Sequence, residues 1–102
     1  MIVVITSKAE ADLEIIADNI AKDNPLRALS FVTELRERCM RLSETPMSFP
    51  LVPRYEHLGL RRRIFGAYLI FFRISMDRIE VIHILHGAMN YEPVLFPEEE
   101  GP

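Results

Sequence analysis

The sequence YLIFFRISMDRIEVIHILHGAMN, which spans Tyr68–Asn90, carries the strongest structural signal in this chain. Two apolar runs rich in β-branched and aromatic residues flank the polar stretch Ser75–Arg78, and this pattern predicts a β-hairpin. The second strand, Ile79–Leu85, continues into His86-Gly87-Ala88-Met89-Asn90, where glycine and asparagine favour a turn.

A further strand is predicted immediately before this hairpin. Leu60–Phe65 has the pattern of a strand, and Gly66-Ala67 suits a type II′ turn, in which glycine takes the first central position. The preceding segment, Met47–Gly59, follows one proline and contains two more, so we expect a loop there.

Two amphipathic helices are predicted nearer the N-terminus. Ile2–Ile5 is a short β-branched strand, and Ser7-Lys8-Ala9-Glu10 has the spacing of a capping box that starts the first helix. Asn24-Pro25 ends that helix and starts the second, which stops at Thr45-Pro46. The order β-α-α-β-β-β predicts an α+β fold, with a helical hairpin packed on a mostly antiparallel four-stranded sheet.

The predicted hairpin has two apolar faces, although two helices can cover only one. Residues Tyr68, Ile70, Phe72 and Ile74 share one face of their strand, and Leu69, Phe71 and Arg73 share the other. On the next strand, alternation places Ile79, Val81, His83 and Leu85 together. Because a sheet buried on both sides needs two covers, we expect one face to be closed by a second subunit, by a partner protein, or by the C-terminal residues Tyr91, Val94, Leu95 and Phe96.

Length and composition restrict the class of protein. The 102 residues suit one domain, predicted over residues 1–96, followed by an acidic flexible tail at 97–102. The net charge is −3, and Glu98–Glu100 account for all of it, so the remainder is neutral. A nucleic-acid-binding domain would carry a basic excess, and no apolar run approaches a membrane span. The single cysteine, Cys39, makes a reducing, cytoplasmic setting the default expectation.

No catalytic or metal-binding pattern accompanies these elements. His83 and His86 are three apart, so regular alternation on a strand would direct them to opposite faces. Cys39 has no base at a recognisable spacing that would activate it as a nucleophile. The sequence therefore predicts no catalytic residue, no cofactor and no metal ligand.

The run Arg61-Arg62-Arg63 leaves two interpretations open. The guanidinium group of arginine can form paired hydrogen bonds with a carboxylate or a phosphate, so the run could contact a partner protein or DNA. Alternate arginines on an edge strand also keep that strand soluble and prevent edge-to-edge aggregation.

Several short motifs together indicate a family. They are Ala11-Asp12-Leu13, Asn24-Pro25, Leu42 with Pro46, Leu60-Arg61-Arg62, Gly66-Ala67-Tyr68-Leu69-Ile70-Phe71 and Ile84-Leu85-His86-Gly87. In order and spacing they resemble the RelE/ParE superfamily of toxins from bacterial toxin–antitoxin modules, over about residues 2–96.

The two branches of that superfamily differ in chemistry. RelE-like members cut messenger RNA on the ribosome and surround the scissile phosphate with basic residues and a C-terminal tyrosine. Here Tyr68 and Met89 occupy two positions that hold arginine in those members, and the tyrosine position falls near Leu95. Most of the residues that RelE-like members use to cut RNA are therefore missing from this chain.

The ParE branch, which includes plasmid stabilisation toxins, is the better match. Its members commonly carry His-x-x-Met-Asp or His-x-x-Met-Asn after the last strand, and His86–Asn90 has the second of these patterns. The resemblance implies a non-enzymatic toxin that inhibits DNA gyrase and forms a hetero-oligomer with a ParD-like antitoxin. The alternatives are a RelE-type ribosome-dependent mRNA endonuclease and an inactive antitoxin-binding module. Predicted partner-binding residues are Arg61, Arg62, Arg63, Leu69, Phe71, His86, Met89 and Asn90.

Overall fold

A computed structural model describes residues 1–97 of the chain. The predicted element order and the α+β class are confirmed, and a short third helix follows the last strand. The elements are β1 (Ile2–Ile5), α1 (Ser7–Ala21), α2 (Pro25–Met40), β2 (Leu60–Phe65), β3 (Tyr68–Ser75), β4 (Arg78–His86) and α3 (Glu92–Leu95). Three 3₁₀ turns lie between α2 and β2, at Arg41–Ser43, Pro46–Ser48 and Glu56–Leu58. Apart from Pro97, the predicted acidic tail lies outside the described residues.

The four strands form one sheet in the order β1-β4-β3-β2. β1 runs parallel to β4, whereas the other two pairings are antiparallel, so the sheet is mostly antiparallel as predicted. Gly66 has φ +59°, and a positive φ is what a type II′ turn requires at its first central position. Among the described residues, no helix is long and apolar enough to cross a membrane.

The two long helices begin with side-chain caps. Thr6, one residue before the predicted cap Ser7, accepts a hydrogen bond at Oγ1 from the Ala9 amide at 3.3 Å. The same hydroxyl donates to the Val81 carbonyl at 2.7 Å, so Thr6 also joins α1 to the sheet, which a local capping signal does not reveal. Asn24 caps α2 as predicted.

The main core lies between the helical hairpin and the sheet. Leu13 of α1 and Leu35 of α2 are fully buried against Phe72 of β3. The other buried members of this core are Ala9, Ile16, Cys39, Leu42, Ile70, Ile79, Val81 and Ile84.

The opposite face of the sheet has its own smaller core, which the chain itself provides. The ring of Phe96 stacks on Tyr55 with 3.7 Å between centroids, and Val52 is buried beside them. The C-terminal segment, which is one of the covers expected, packs on this face, and the loop before β2 adds to it. The Val52 amide donates to the Leu60 carbonyl at 2.8 Å, which fixes that loop along β2.

A β-bulge changes the face assignments on β4. Phe71 pairs with His83 and Phe72 pairs with Val81, so Ile82 is an extra residue without a counterpart. An extra residue reverses the alternation beyond it. Ile84 therefore packs in the helix-side core and Leu85 in the opposite core, and the predicted grouping of Leu85 with Val81 is wrong.

Candidate partner-binding site

The arginine run does not form a single patch. Strand alternation directs Arg61 and Arg63 toward the helix side of the sheet and Arg62 toward the other side. Arg61 Nη1 donates to the Phe49 carbonyl at 2.7 Å, and Arg62 Nη1 donates to the Tyr91 hydroxyl at 3.0 Å. Both contacts fasten covering segments onto the sheet. One common binding surface for all three arginines is therefore excluded in this structure.

Leu69 and Phe71 are not available on an open face. Their side chains are 9% and 0% exposed, because the segment ending at Phe96 and the loop around Val52 cover them. In this structure the two residues belong to the second core, and their role in partner binding stays a prediction. The loop has no period-2 pattern of apolar residues, so its covering role cannot be predicted from the sequence.

His86 and Met89, in contrast, meet at an open pocket. The pocket has a volume of about 390 Å³ and lies between α1, the end of β4 and α3. Its walls are mostly apolar. The residues that line it are Asp12, Ile15, Ile16, Asn19, Tyr68, Ile84, Leu85, His86, Met89 and Val94.

Hydrogen bonds fix the conformation of the motif at this pocket. The Gly87 amide donates to the Ala67 carbonyl at 2.7 Å, and the Ala88 amide donates to Nδ1 of His86 at 3.0 Å. The imidazole also packs edge-on against Tyr68, with 5.2 Å between centroids. Because Nδ1 accepts a hydrogen bond, the neutral ring carries its proton on Nε2. Met89 and Asn90 are exposed.

Asp12, which lines the pocket, forms a polar link that the sequence does not reveal. Oδ2 of Asp12 lies 2.8 Å from Nδ1 of His83 and accepts from the Ile84 amide at 2.8 Å. Asp12 thereby satisfies a backbone amide of β4 beyond the end of β1. The two partners are 71 residues apart, so no local pattern connects them.

A second charged feature lies where the end of α2 approaches β2. The guanidinium of Arg38 lies 5.3 Å from the Phe65 centroid, and that of Arg63 lies 5.0 Å from the Phe49 centroid. Burial, reinforced by the charges of Arg38 and Arg41, lowers the pKa of Arg63. Arg38 and Arg41 lie at the end of α2, whereas Arg63 lies on β2. The fold, and not the arginine run in the sequence, therefore brings these charges near one another.

The described residues provide little for covalent or metal chemistry. Within residues 1–97, no group of three or more His, Cys, Asp or Glu side chains could hold a metal ion. Burial raises the pKa of the Cys39 thiol to about 12, so the thiol stays protonated at neutral pH. A protonated, buried thiol is a poor nucleophile.

Comparison with known proteins identifies the family. Residues 3–91 match the sequence-family model described as the ParE toxin of the type II toxin-antitoxin system parDE. The chain therefore belongs to the ParE toxin family. A search of curated proteins found no match.

Two solved structures share the fold. A structure of the chromosomal ParDE toxin–antitoxin system from P. aeruginosa contains a chain with 26% identity and a TM-score of 0.74, covering 84% of this chain and 95% of the other. The toxin–antitoxin complex RelBE2 from Mycobacterium tuberculosis contains one with 20% identity and a TM-score of 0.62, covering 83% and 95%. The second similarity concerns the fold alone.

Proposed function

We propose that this protein is a toxin that binds and inhibits DNA gyrase and that a ParD-like antitoxin neutralises it. The observation that carries the proposal is the open pocket at which His86 and Met89 meet. These are the two residues of the family motif with side chains at an apolar opening, where a flexible methionine suits an adaptable contact. The proposed activity is binding without turnover.

The antitoxin would occupy a different surface, the groove between α1 and α2. This groove has a volume of about 450 Å³ and is lined by small and apolar residues, including Ala21, Ala28 and Val32. Leu29 at its edge is 72% exposed, and Leu26 is 79% exposed. An amphipathic segment that folds on binding could cover these side chains. Each side chain that becomes fully buried would stabilise the complex by roughly 1.5–3 kcal/mol.

A ribosome-dependent mRNA endonuclease is the second candidate, and the pair Arg62–Tyr91 favours it. A guanidinium beside a phenol hydroxyl can hold a phosphate and move a proton. An observation against this role is that the Arg62 guanidinium and the Tyr91 hydroxyl form a hydrogen bond with each other, at 3.0 Å. An inactive module that only binds an antitoxin is the third candidate.

Controlled expression in cells separates the three candidates. For a gyrase inhibitor we expect growth arrest, loss of negative supercoiling in a reporter plasmid, and rescue by co-expression of the neighbouring reading frame. Primer extension on transcripts is the companion measurement. Discrete cuts within translated codons would support the endonuclease instead, and normal growth with retained antitoxin binding would support the inactive module.

A further inference from the structure

The C-terminal segment Tyr91–Phe96 forms one wall of the open pocket, and it is attached to the rest of the chain from its other side. We infer that the contact between Glu92 and Tyr55 positions Val94 in this wall, so that Glu92 and Tyr55 are positioning residues for target binding. The inference rests on the proposed function, since it concerns the pocket to which that proposal assigns DNA gyrase.

The short helix α3 directs two of its side chains in opposite directions. Successive residues of an α-helix are about 100° apart around its axis, so Glu92 and Val94 project roughly 200° apart. Val94 lines the pocket, together with Met89 and with Ile15 of α1. Glu92 instead reaches the loop before β2, where its Oε2 accepts a hydrogen bond from the Tyr55 hydroxyl at 2.8 Å. One face of α3 therefore forms the pocket wall, and the other attaches the helix to the rest of the protein.

Both carboxylate oxygens of Glu92 have partners on the same loop. Besides the bond from Tyr55 to Oε2, Nη1 of Arg54 lies 3.6 Å from Oε1. The Tyr55 ring also stacks on Phe96, so the loop holds α3 through a charge and through an aromatic contact. A hydrogen bond to an ionised carboxylate is stronger than one between neutral groups, and the Glu92 side chain is only 32% exposed. The bond between Tyr55 and Glu92 is therefore a suitable anchor for the pocket wall.

The helix α3 needs such an anchor because it is too short to be stable alone. It has four residues, one of them proline, and within residues 1–97 no side-chain hydrogen bond caps its N-terminus. An isolated helix of this length does not form in water. The position of Val94 therefore depends on the contacts that α3 makes with its surroundings. If those contacts loosen, binding must also order the wall, and the cost of that ordering reduces the affinity for the target.

The groove between α1 and α2, to which the antitoxin is assigned, provides an independent comparison. Every described residue that lines this groove belongs to α1 or α2. A change at Glu92 that acts only on the pocket wall should therefore leave the affinity for the antitoxin unchanged. A general loss of folded protein would instead weaken the binding of both partners.

The experiment measures inhibition of purified DNA gyrase by the full chain in a supercoiling assay. Glu92→Leu and Tyr55→Phe should each inhibit roughly 3- to 10-fold more weakly than the wild type, which is the range for the loss of one hydrogen bond. Glu92→Gln keeps a side-chain oxygen that can accept from the Tyr55 hydroxyl, so it should recover most of the inhibition. Thermal melting checks that the variants are folded, and their affinity for the protein encoded by the neighbouring reading frame should equal that of the wild type.

A double-mutant cycle tests whether Glu92 acts through Val94. Val94→Ala shortens the wall itself and should weaken the inhibition of gyrase on its own. In that background Glu92→Leu should cause little further loss, because the side chain that Glu92 positions has already been removed. Fully additive losses would overturn the inference, since they would show that the two residues act independently.

The matched control is Glu34→Leu, which removes a carboxylate that pairs with Arg27 on α2, outside the pocket. It should inhibit gyrase like the wild type, and a loss equal to that of Glu92→Leu would overturn the inference. If the wild type inhibits gyrase and folded Glu92→Leu inhibits it equally well, the inference is overturned and the proposed function stands. A parallel loss of antitoxin affinity in Glu92→Leu would also overturn the inference. If the folded wild type does not inhibit gyrase, the proposed function itself fails, and the inference fails with it.

Discussion

Arg62 and Tyr91 join the edge of the sheet to the segment that covers its outer face. The hydrogen bond from Nη1 of Arg62 to the Tyr91 hydroxyl measures 3.0 Å, and the Tyr91 ring lies 5.0 Å from that of Phe71. The contact explains how one residue of the arginine run is used within the fold. It also holds the second core closed, so that Leu69 and Phe71 lie inside the protein.

Removing this hydrogen bond should weaken the attachment of the C-terminal segment. Tyr91→Phe keeps the ring against Phe71 and removes only the hydroxyl, so we expect a loss of about 0.5–1.5 kcal/mol in the free energy of unfolding. Urea unfolding of Tyr91→Phe, Arg62→Met and the double variant measures the coupling. Additive losses in the double variant would show that the two side chains do not interact in solution.

Phe96 anchors the same segment through its stack on Tyr55. The Phe96 side chain is 6% exposed, whereas Val94 in the same segment is 38% exposed. Phe96→Ala should therefore lower the free energy of unfolding by about 3–5 kcal/mol, as for buried aromatic residues in general. Val94→Ala is the control and should cost well under half as much. Equal losses for the two variants would mean that the second core does not form.

Asp12 should be needed for stability, since it satisfies two donors on β4. Asp12→Ala leaves the Ile84 amide and the His83 ring without their acceptor, at an expected cost of about 1–3 kcal/mol. Asp12→Asn retains a side-chain oxygen and should lose less. Asp18→Ala, at an exposed position of α1, is the control for thermal unfolding. A variant Asp12→Ala as stable as this control would refute the role assigned to Asp12.

Glu80 should make the protein sensitive to acid. Its hydrogen bond from Arg73, with smaller contributions from Arg78, lowers the pKa of Glu80 below the ordinary value of 4.5. A carboxyl whose pKa is lower in the folded state stabilises the fold above its unfolded pKa, and this contribution disappears as the pH falls through the folded value.

The test compares Glu80→Gln with the wild type by urea unfolding between pH 7 and pH 3. The wild type should lose more stability than the variant over that range, so the difference between them should shrink toward pH 3. Parallel curves for the two proteins would contradict the prediction.

The element order could be predicted because the periodic signals were long. Alternation in Tyr68–Ile74 and the helical spacing of Ala9, Leu13 and Ile16 each extend over several residues, which makes the type of element clear. The caps were predictable to within one residue, and Gly66 marked its turn because few other residues adopt a positive φ.

The missed features depend on contacts that are distant in sequence. The bulge at Ile82 is a single inserted residue and leaves no local signature. Val52 lies between prolines in a stretch without periodicity, so its burial becomes evident only when the loop is placed against β2. The cluster of Arg38 with Arg63 and the link of Asp12 to His83 join separate elements in the same way.

The most direct test of the central claim is a supercoiling assay with purified DNA gyrase and the protein freed from its antitoxin. The wild type should inhibit supercoiling. Met89→Lys, which puts a charge at the pocket, should be roughly 10-fold or more weaker, as for the loss of a central contact residue. Met76→Lys, at a 95% exposed turn position away from the pocket, should inhibit like the wild type. Unimpaired supercoiling with folded wild-type protein, or equal inhibition by the two variants, would contradict the account.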